Sequence, residues 1–357
     1  MFGLKILFCI GSLEKGGAER VISNLANYFI DNNDVGIVLT LRKVEYSLDN
    51  RIKLYDLMYD GKLRRLKKLY DIIKEYNPDI IVSFLPEPSY RLLMLKNFIK
   101  VPIIVSVRNN PYTEYSSFRR RILMKVLYPL ADGFVFQTAD AKKYFNKKIQ
   151  NKSVIIPNPI SDAFLKRDIY RGKRNNVIVS VGRLEKQKNH ELLIDSFYKN
   201  RKKFKGYKLL IYGDGSLKEK LQKKIDLLNM KEQIFLVGKV DNIASEIEDA
   251  KLFVMSSDYE GMPNALMEAM ALGLVCISTD CACGGPKYLI EDGKNGFLVD
   301  VNDINQMSKK MDFVINDISS KEYDGISKQA KETAMNFGEN IINKKWESFL
   351  MSIKNNK

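Results

Sequence analysis

The sequence predicts an α/β protein made of two doubly wound halves, each a parallel sheet with helices on both faces. Three observations carry this. Apolar runs of strand length alternate with segments of helical periodicity across short connections. The alternation breaks once, over residues 154–176, and then restarts. A length of 357 residues suits two domains of ordinary size.

Each element follows from its pattern. Residues 4–10 read as a buried parallel strand closed by Gly11. Residues 18–29 place Val21, Leu25 and Phe29 at helical spacing. Strands are expected at 35–40, 80–84, 101–107 and 133–137. Helices are expected at 63–75, where Asn77-Pro78 ends the run, and at 89–98 and 118–128. Val154-Ile-Ile-Pro-Asn-Pro159 opens a polar, basic stretch reaching Asn176. The linker is placed there, with domains of residues 1–165 and 166–337. The second half repeats the rhythm. Strands are expected at 177–181, 207–212, 234–237, 252–255, 275–278 and 296–298. Helices are expected at 191–199, 217–228, 243–249 and 263–272. The last helix, 339–353, holds the single tryptophan, Trp346, and is expected to pack at the domain junction.

Composition narrows the function. At 45% hydrophobic and 28% charged residues, the chain is not disordered, collagenous or a small disulfide scaffold. The net charge is +15, and residues 1–160 hold 26 Lys and Arg against 15 Asp and Glu. A basic surface implies an anionic partner: nucleic acid, a membrane face or a phosphorylated substrate. No recognised binding motif accompanies the charge, which disfavours nucleic acid. Cys9 and Cys276 lie in apolar runs and read as small hydrophobes. Cys281 and Cys283 lack a second Cys/His cluster, and His190 is the only histidine, so no zinc site is expected. Unpaired cysteines suit a reducing cytosol. Nowhere do about 18 apolar residues run together. The apolar start is short and lacks a cleavage site, so it reads as a strand rather than a signal peptide.

Three loops carry chemistry. The first, Gly11-Ser-Leu-Glu-Lys-Gly16-Gly17-Ala-Glu-Arg20, lies between a strand and a helix, where glycines let backbone amides approach an anion. It is neither a P-loop nor a dinucleotide fingerprint: Gly16 is followed by Gly17-Ala18, and position 13 is Leu. The second, Val181-Gly-Arg183-Leu-Glu-Lys186-Gln-Lys188-Asn-His190, puts three cations beyond a strand C-terminus, where a diphosphate would bind. His190 reads as a helix-start residue. The third runs from Glu260-Gly-Met-Pro-Asn to Glu268 and Gly273. Pro263 suits a first helical turn, and amides at 261–265 are positioned for an anion. Glu268, about one and a half turns in, could reach a hydroxyl beside it. The bland alternatives are a tight turn, a solvated charge run, and a capping glutamate with a solvent-facing one.

These residues resemble those of family 4 retaining glycosyltransferases, which have the GT-B fold of two Rossmann-like domains facing across a cleft. Glu260 and Glu268, with seven residues between them, resemble its E-x7-E signature. Gly16-Gly17-Ala18-Glu19-Arg20, Val181–Lys188, Tyr212-Gly-Asp-Gly215 and Asp292-Gly-x-x-Gly296-Phe-Leu match its other motifs in order. The resemblance implies that 1–165 binds the acceptor and 166–337 the sugar nucleotide. It implies that Arg183 and Lys188 hold the donor diphosphate, and that Glu260 touches the sugar hydroxyls. Backbone at Gly261, Met262, Pro263 and Asn264 would support sugar and phosphate, Glu268 the ribose, and Val240 the base. Gly16 and Gly17 would line the cleft. Arg183, Lys188 and Glu260 are then the catalytic set. No D-x-D string occurs, which fits a metal-independent transferase with no cofactor beyond the donor, expected to be a UDP-sugar.

The family's histidine after the fourth strand is missing; the region reads Ser106-Val-Arg108-Asn109-Asn110-Pro111. It resembles a subgroup acting on lipid-linked oligosaccharides in bacterial glycan assembly, with Arg108 and Asn109 on the acceptor side. Arginine keeps its proton, so neither is a base. The acceptor is expected to be a polyprenyl-diphosphate-linked saccharide. Leu63, Leu66 and Leu69 among the cations of 62–69, Arg119–Arg121, and Lys142, Lys143, Lys147 and Lys148 could seat helices on an anionic membrane. That places the protein in the cytoplasm, on the inner face of the cell membrane. A sugar-nucleotide 2-epimerase or a non-catalytic sugar-nucleotide-binding subunit are the competing classes.

Overall fold

The structure is a computed structural model that describes residues 3–14, 16–58 and 61–355. The chain forms two compact units, Met1–Pro159 with Asn340–Lys357, and Ile160–Glu339. Each unit has its own sheet and core.

The first unit carries seven strands: β1 (Lys5–Ile10), β2 (Asp34–Leu39), β3 (Lys53–Asp56), β4 (Ile80–Phe84), β5 (Ile103–Ser106), β6 (Gly133–Phe136) and β7 (Ser153–Ile155). All pairings are parallel, in the order β3-β2-β1-β4-β5-β6-β7. The centre is apolar on both faces, as a doubly covered sheet requires: β1 buries Ile6 to Ile10 and β4 all five residues. Two edge strands escape the sequence pattern. β3 has no fully buried residue, and β7, three residues long, runs into the stretch expected to be linker.

The second unit carries β8 (Asn175–Val181), β9 (Lys208–Tyr212), β10 (Ile234–Gly238), β11 (Ala250–Met255), β12 (Cys276–Thr279) and β13 (Phe297–Val299), again all parallel, in the order β10-β9-β8-β11-β12-β13. Chain order reverses between β8 and β11 here, and between β1 and β4 in the first unit. Such reversals open a crevice at the strand C-termini where ligands of open α/β sheets bind.

Two boundaries are set by the packing within each unit. The division falls at Pro159/Ile160, not 165/166. Phe164 and Leu165 of the short helix Asp162–Leu165 are buried, the Leu165 carbonyl accepts from Lys331 Nζ at 3.2 Å, and Ile160 N–H donates to the Phe337 carbonyl at 2.8 Å. The final helix, Glu339–Asn355, belongs to the first unit. Trp346 is fully buried and stacks on Phe84 at the end of β4, centroids 5.9 Å apart. Lys354 pairs with Asp79 at 3.3 Å. Among the described residues, no helix is long and apolar enough to cross a membrane.

Candidate active site

The strands beside the second unit's reversal, β8 and β11, end in the two loops singled out from the sequence. After β8 the chain turns through Gly182 and Arg183 to a short turn at Lys186–Lys188, then enters the helix His190–Lys199. Asn189 is left-handed (φ 43°) and caps that helix by accepting from Leu192 N–H. After β11 come Ser256, Ser257, Asp258, Tyr259 and Glu260, then the helix Asn264–Ala271. Pro263 stands at its N-cap with extended backbone, one position before the expected first turn.

The two loops are fastened to each other. Lys188 Nζ meets Glu260 Oε1 at 2.5 Å, and both side chains are largely withdrawn from water, at 15% and 8% exposure. Ser257 Oγ donates to the same carboxylate oxygen at 2.7 Å. Ser256 Oγ donates to the Lys188 carbonyl at 2.9 Å, and Gln187 Nε2 to the Tyr259 carbonyl at 2.9 Å. Asn189 Nδ2 donates to Asp258 Oδ1 at 2.7 Å. A cation and an anion are thus held close together at the crevice, against a framework of backbone and hydroxyl bonds. Arg183 stays exposed, its guanidinium 3.5 Å from Gln187 Oε1, and is placed for a solvent-borne anion.

Neighbouring loops complete the surround. Gly213 adopts φ 137°, and a Cβ there would lie 2.0 Å from the Gly182 carbonyl. The Tyr212–Gly215 motif therefore lets the β9 loop touch the β8 loop backbone to backbone. Gly213 N–H in turn donates to the Gly238 carbonyl at 2.8 Å, just before Val240, which is half-buried. On the other side, Ala282 pairs with Tyr259 and accepts from Glu260 N–H at 3.3 Å. Cys281 is buried there. Burial first, and the Glu260 charge second, push its thiol up to about 12, so it is inert at neutral pH. Gly261 and Asn264 are half-buried, and Met262 and Pro263 buried. Glu268 is buried within its helix rather than facing solvent.

His190 is buried beside the loop that follows β8. Neither ring nitrogen has a well-formed hydrogen bond, although the backbone at Gly182 and Arg183 lies close. Burial, and then Lys188, push its pKa down to about 4, so the ring is neutral.

In the first unit, Gly16 caps the helix Gly17–Phe29. Its N–H donates to the Tyr46 hydroxyl at 3.1 Å, and that hydroxyl donates back to its carbonyl at 2.9 Å. Gly17 is exposed. Arg108, just after β5, is buried rather than open to solvent. Its Nε donates to Ser106 Oγ at 2.7 Å and its Nη1 to Asn158 Oδ1 at 3.1 Å. The guanidinium carbon lies 4.9 Å from the Phe84 ring and 5.3 Å from that of Trp346. Burial pushes its pKa down to about 9, still cationic at neutral pH. Asn109 is exposed, 2.6 Å from Glu114.

Sequence reasoning missed Tyr46 beside Gly16 and Asn158 beside Arg108 in the first unit, and Ser257 beside Glu260 in the second. Each meets its partner through a turn or a long-range contact that leaves no periodic trace. The bridge Tyr259↔Ala282 likewise spans a helix and a strand.

Residues 15–164 match the family described as Glycosyltransferase Family 4, and residues 162–333 match Glycosyl transferases group 1. A Campylobacter jejuni GalNAc-alpha-(1->4)-GalNAc-alpha-(1->3)-diNAcBac-PP-undecaprenol alpha-1,4-N-acetyl-D-galactosaminyltransferase is 27% identical over 99% of both chains. The amylovoran biosynthesis glycosyltransferase AmsD of Erwinia amylovora is 29% identical, over 97% of this chain and 99% of that one. Among solved structures, a glycosyltransferase from Rickettsia africae superposes with TM-score 0.83 at 20% identity, covering 99% of this chain and 100% of that one. Anabaena Alr3699/HepE, in complex with UDP, superposes with TM-score 0.83 at 18% identity, covering 98% and 100%. Two parallel-sheet α/β units with these neighbours make a GT-B fold. The chain belongs to the family 4-type glycosyltransferases and acts in glycan biosynthesis.

Proposed function

We propose that the enzyme moves a hexose from a UDP-sugar (galactose, N-acetylgalactosamine or glucose) to a polyprenyl-diphosphate-linked saccharide, with retention and without a metal. The observation that carries this is the buried Lys188–Glu260 pair between the loops of β8 and β11. An ion pair withdrawn from water at a ligand crevice suits a substrate presenting both a diphosphate and hydroxyls. The names of two comparison proteins support the substrates: one acts on an undecaprenol-PP-linked glycan, and the other was solved with UDP.

In this reading Arg183 and Lys188 neutralise the leaving diphosphate, aided by the helix N-terminus at Gly261–Asn264. Glu260 accepts hydrogen bonds from the sugar hydroxyls. Glu268 serves the ribose and Val240 lies by the base. In the first unit, Asn109 orients the acceptor beside buried Arg108. The acceptor oxygen bonds to the anomeric carbon on the face the diphosphate leaves. The anomeric C–O bond breaks with its electron pair going to the β-phosphate. The acceptor's proton passes to a phosphate oxygen, so no protein base is required. The work would take place at the inner face of the cell membrane, where such acceptors reside.

A thermal-shift screen over UDP-, GDP- and ADP-sugars tests the donor, since a ligand of the folded state alone raises Tm by mass action. UDP-sugars are expected to raise Tm and the others to leave it unchanged; a shift with GDP-mannose only would overturn the UDP assignment. Incubation with acceptor is expected to yield UDP and an α-linked product, unchanged by EDTA. An interconverted sugar nucleotide would identify an epimerase, and binding without turnover a scaffold.

A further inference from the structure

The helix Asn264–Ala271, which carries Glu268, is fixed at both ends, and only its N-terminal end belongs to the site described above. Its C-terminal end closes in a Schellman arrangement. Gly273 is left-handed (φ 68°) and its N–H donates to the Met270 carbonyl at 2.9 Å. Leu274 N–H donates to the Ala269 carbonyl and Leu272 N–H to that of Glu268, each at 3.1 Å. The last helical carbonyl, that of Ala271, is left to a side chain: Lys331 Nζ donates to it at 3.0 Å. The same ammonium donates to the carbonyls of Leu165, at 3.2 Å, and Arg167. An ammonium has three N–H donors, and here all three go to backbone. The helix has no basic residue in its own last turn, so Lys331 also supplies the cation that its negative dipole end favours.

Leu165 and Arg167 lie in the segment by which the chain enters the second unit. It enters at Ile160 and leaves at Glu339, and Ile160 pairs with Gly338 beside the exit. The entering segment is fastened to two elements that follow the site's loops. Ile169 closes on Gly273, where a Cβ would lie 2.8 Å from Ile169 Cγ1. The Gly273 carbonyl accepts from Arg174 Nη2 at 3.2 Å and from Ser327 Oγ. Arg167 pairs with Glu248 at 2.5 Å and donates to Ser245 Oγ at 2.9 Å, at the helix Ile243–Ile247 that follows Val240. We propose that Lys331 is a positioning residue for the donor: it locks the entering segment to the C-terminal end of the Glu268 helix, so that the amides at the N-terminal end, and Glu260 before them, stay where the diphosphate and sugar need them. Eight helical residues, about 12 Å, separate it from those amides, so it acts through the helix and not on the ligand. For its purpose the inference rests on the donor site proposed above; the grip on three carbonyls does not.

The test compares the wild type with K331M, K331R and K328M, each as the full chain. Lys328, one turn earlier on the same helix, is exposed and pairs with Glu332 at 3.8 Å. Hydrogen exchange without nucleotide is expected to quicken in K331M over both 160–170 and 261–275, while β9 keeps its wild-type rate. K331R, which keeps the charge and the donors, is expected to restore both stretches, and K328M to leave them unchanged. UDP is the binding probe. K331M is expected to bind it at least about fivefold more weakly, by calorimetry at a temperature where circular dichroism shows a folded chain. K331R is expected to stay within about twofold of the wild type. Saturating UDP is expected to slow exchange over 160–170 as well as 261–275 in the wild type, and over 261–275 alone in K331M. A lysine that only stabilised the fold would lower Tm and move none of these. Wild-type UDP affinity and wild-type exchange at 261–275 in K331M therefore overturn the inference. So does a loss in K331R equal to that in K331M, since charge and donors would then count for nothing. Should K331M not fold, K331Q, uncharged with two N–H donors, is read against the same outcomes. UDP that binds none of these chains overturns the donor reading instead, and exchange without nucleotide still decides whether Lys331 holds the helix.

Discussion

At the scale of single residues, the Lys188–Glu260 pair makes an asymmetric prediction. Removing one partner leaves the other charged, partly desolvated and uncompensated, which costs about 3 kcal/mol or more for a buried pair. Replacing both with apolar groups removes the penalty along with the attraction. Lys188→Met and Glu260→Met are therefore each expected to lower stability by about 2–3 kcal/mol, after allowing for their residual exposure. The double variant is expected to recover most of that loss, a coupling readable from urea denaturation. All three are expected to lose at least about 100-fold in transfer rate, because the proposed diphosphate and sugar contacts go with them. A double variant no more stable than the singles would show that the pair does not compensate itself. His190 makes a second prediction. Its folded pKa of about 4 lies below the ordinary value near 6.5, so the unfolded chain takes up a proton first as pH falls. The stability it contributes is complete above about pH 6.5 and is lost progressively as pH drops towards 4, to a total on the order of 3 kcal/mol. His190→Gln is expected to flatten that part of the stability-versus-pH curve, measured by denaturant midpoints across the range.

At the scale of elements, the loops around the site depend on close backbone approach. Gly285 opens the short helix Gly285–Leu289, and a Cβ there would lie 1.9 Å from the Gly261 carbonyl and 2.8 Å from Pro263 Cδ. Gly285→Ala must push the 261–263 loop away. It is expected to raise the donor KM and lower kcat at least about tenfold, while far-UV circular dichroism stays native. An unchanged KM would mean that the loop's position does not govern donor binding. This dependence leaves no mark in the sequence, because it joins two loops distant along the chain. What was legible followed from periodicity and burial. The central strands were foreseen because both faces are covered and most positions are apolar. β3 and β7 were not, because edge strands are short and half-exposed, and β7 runs straight into Pro157. The Glu260 loop was recognisable by spacing. Its fastening to Ala282 was not, because nothing local in either segment requires the other. Arg108 was noticed, but its burial was not, since that depends on Phe84 and on Trp346, more than 200 residues away in the chain.

At the scale of the whole molecule, the path of the chain decides which residues stabilise which unit. The second unit is continuous, with a core built on residues such as Phe197, Leu209 and Ile211. The first is discontinuous and is completed by the last helix, so Trp346, near the end of the chain, supports strands laid down more than 200 residues earlier. Two units with separate cores are expected to unfold in separable steps. Truncating a fully buried Trp or Phe to Ala costs about 3–5 kcal/mol, much of a typical unit's stability of about 5–15 kcal/mol. In calorimetry of the full chain, Trp346→Ala is therefore expected to lower the transition of the first unit by several degrees and leave the other in place. Phe197→Ala, equally buried, is expected to do the reverse. A saturating donor adds a third arm. If it binds the second unit through Lys188 and Glu260 as proposed, it is expected to raise the transition that Phe197→Ala lowers. If both substitutions moved one shared transition by the same amount, the two cores would be a single cooperative structure, and the last helix could not be credited to the first unit alone.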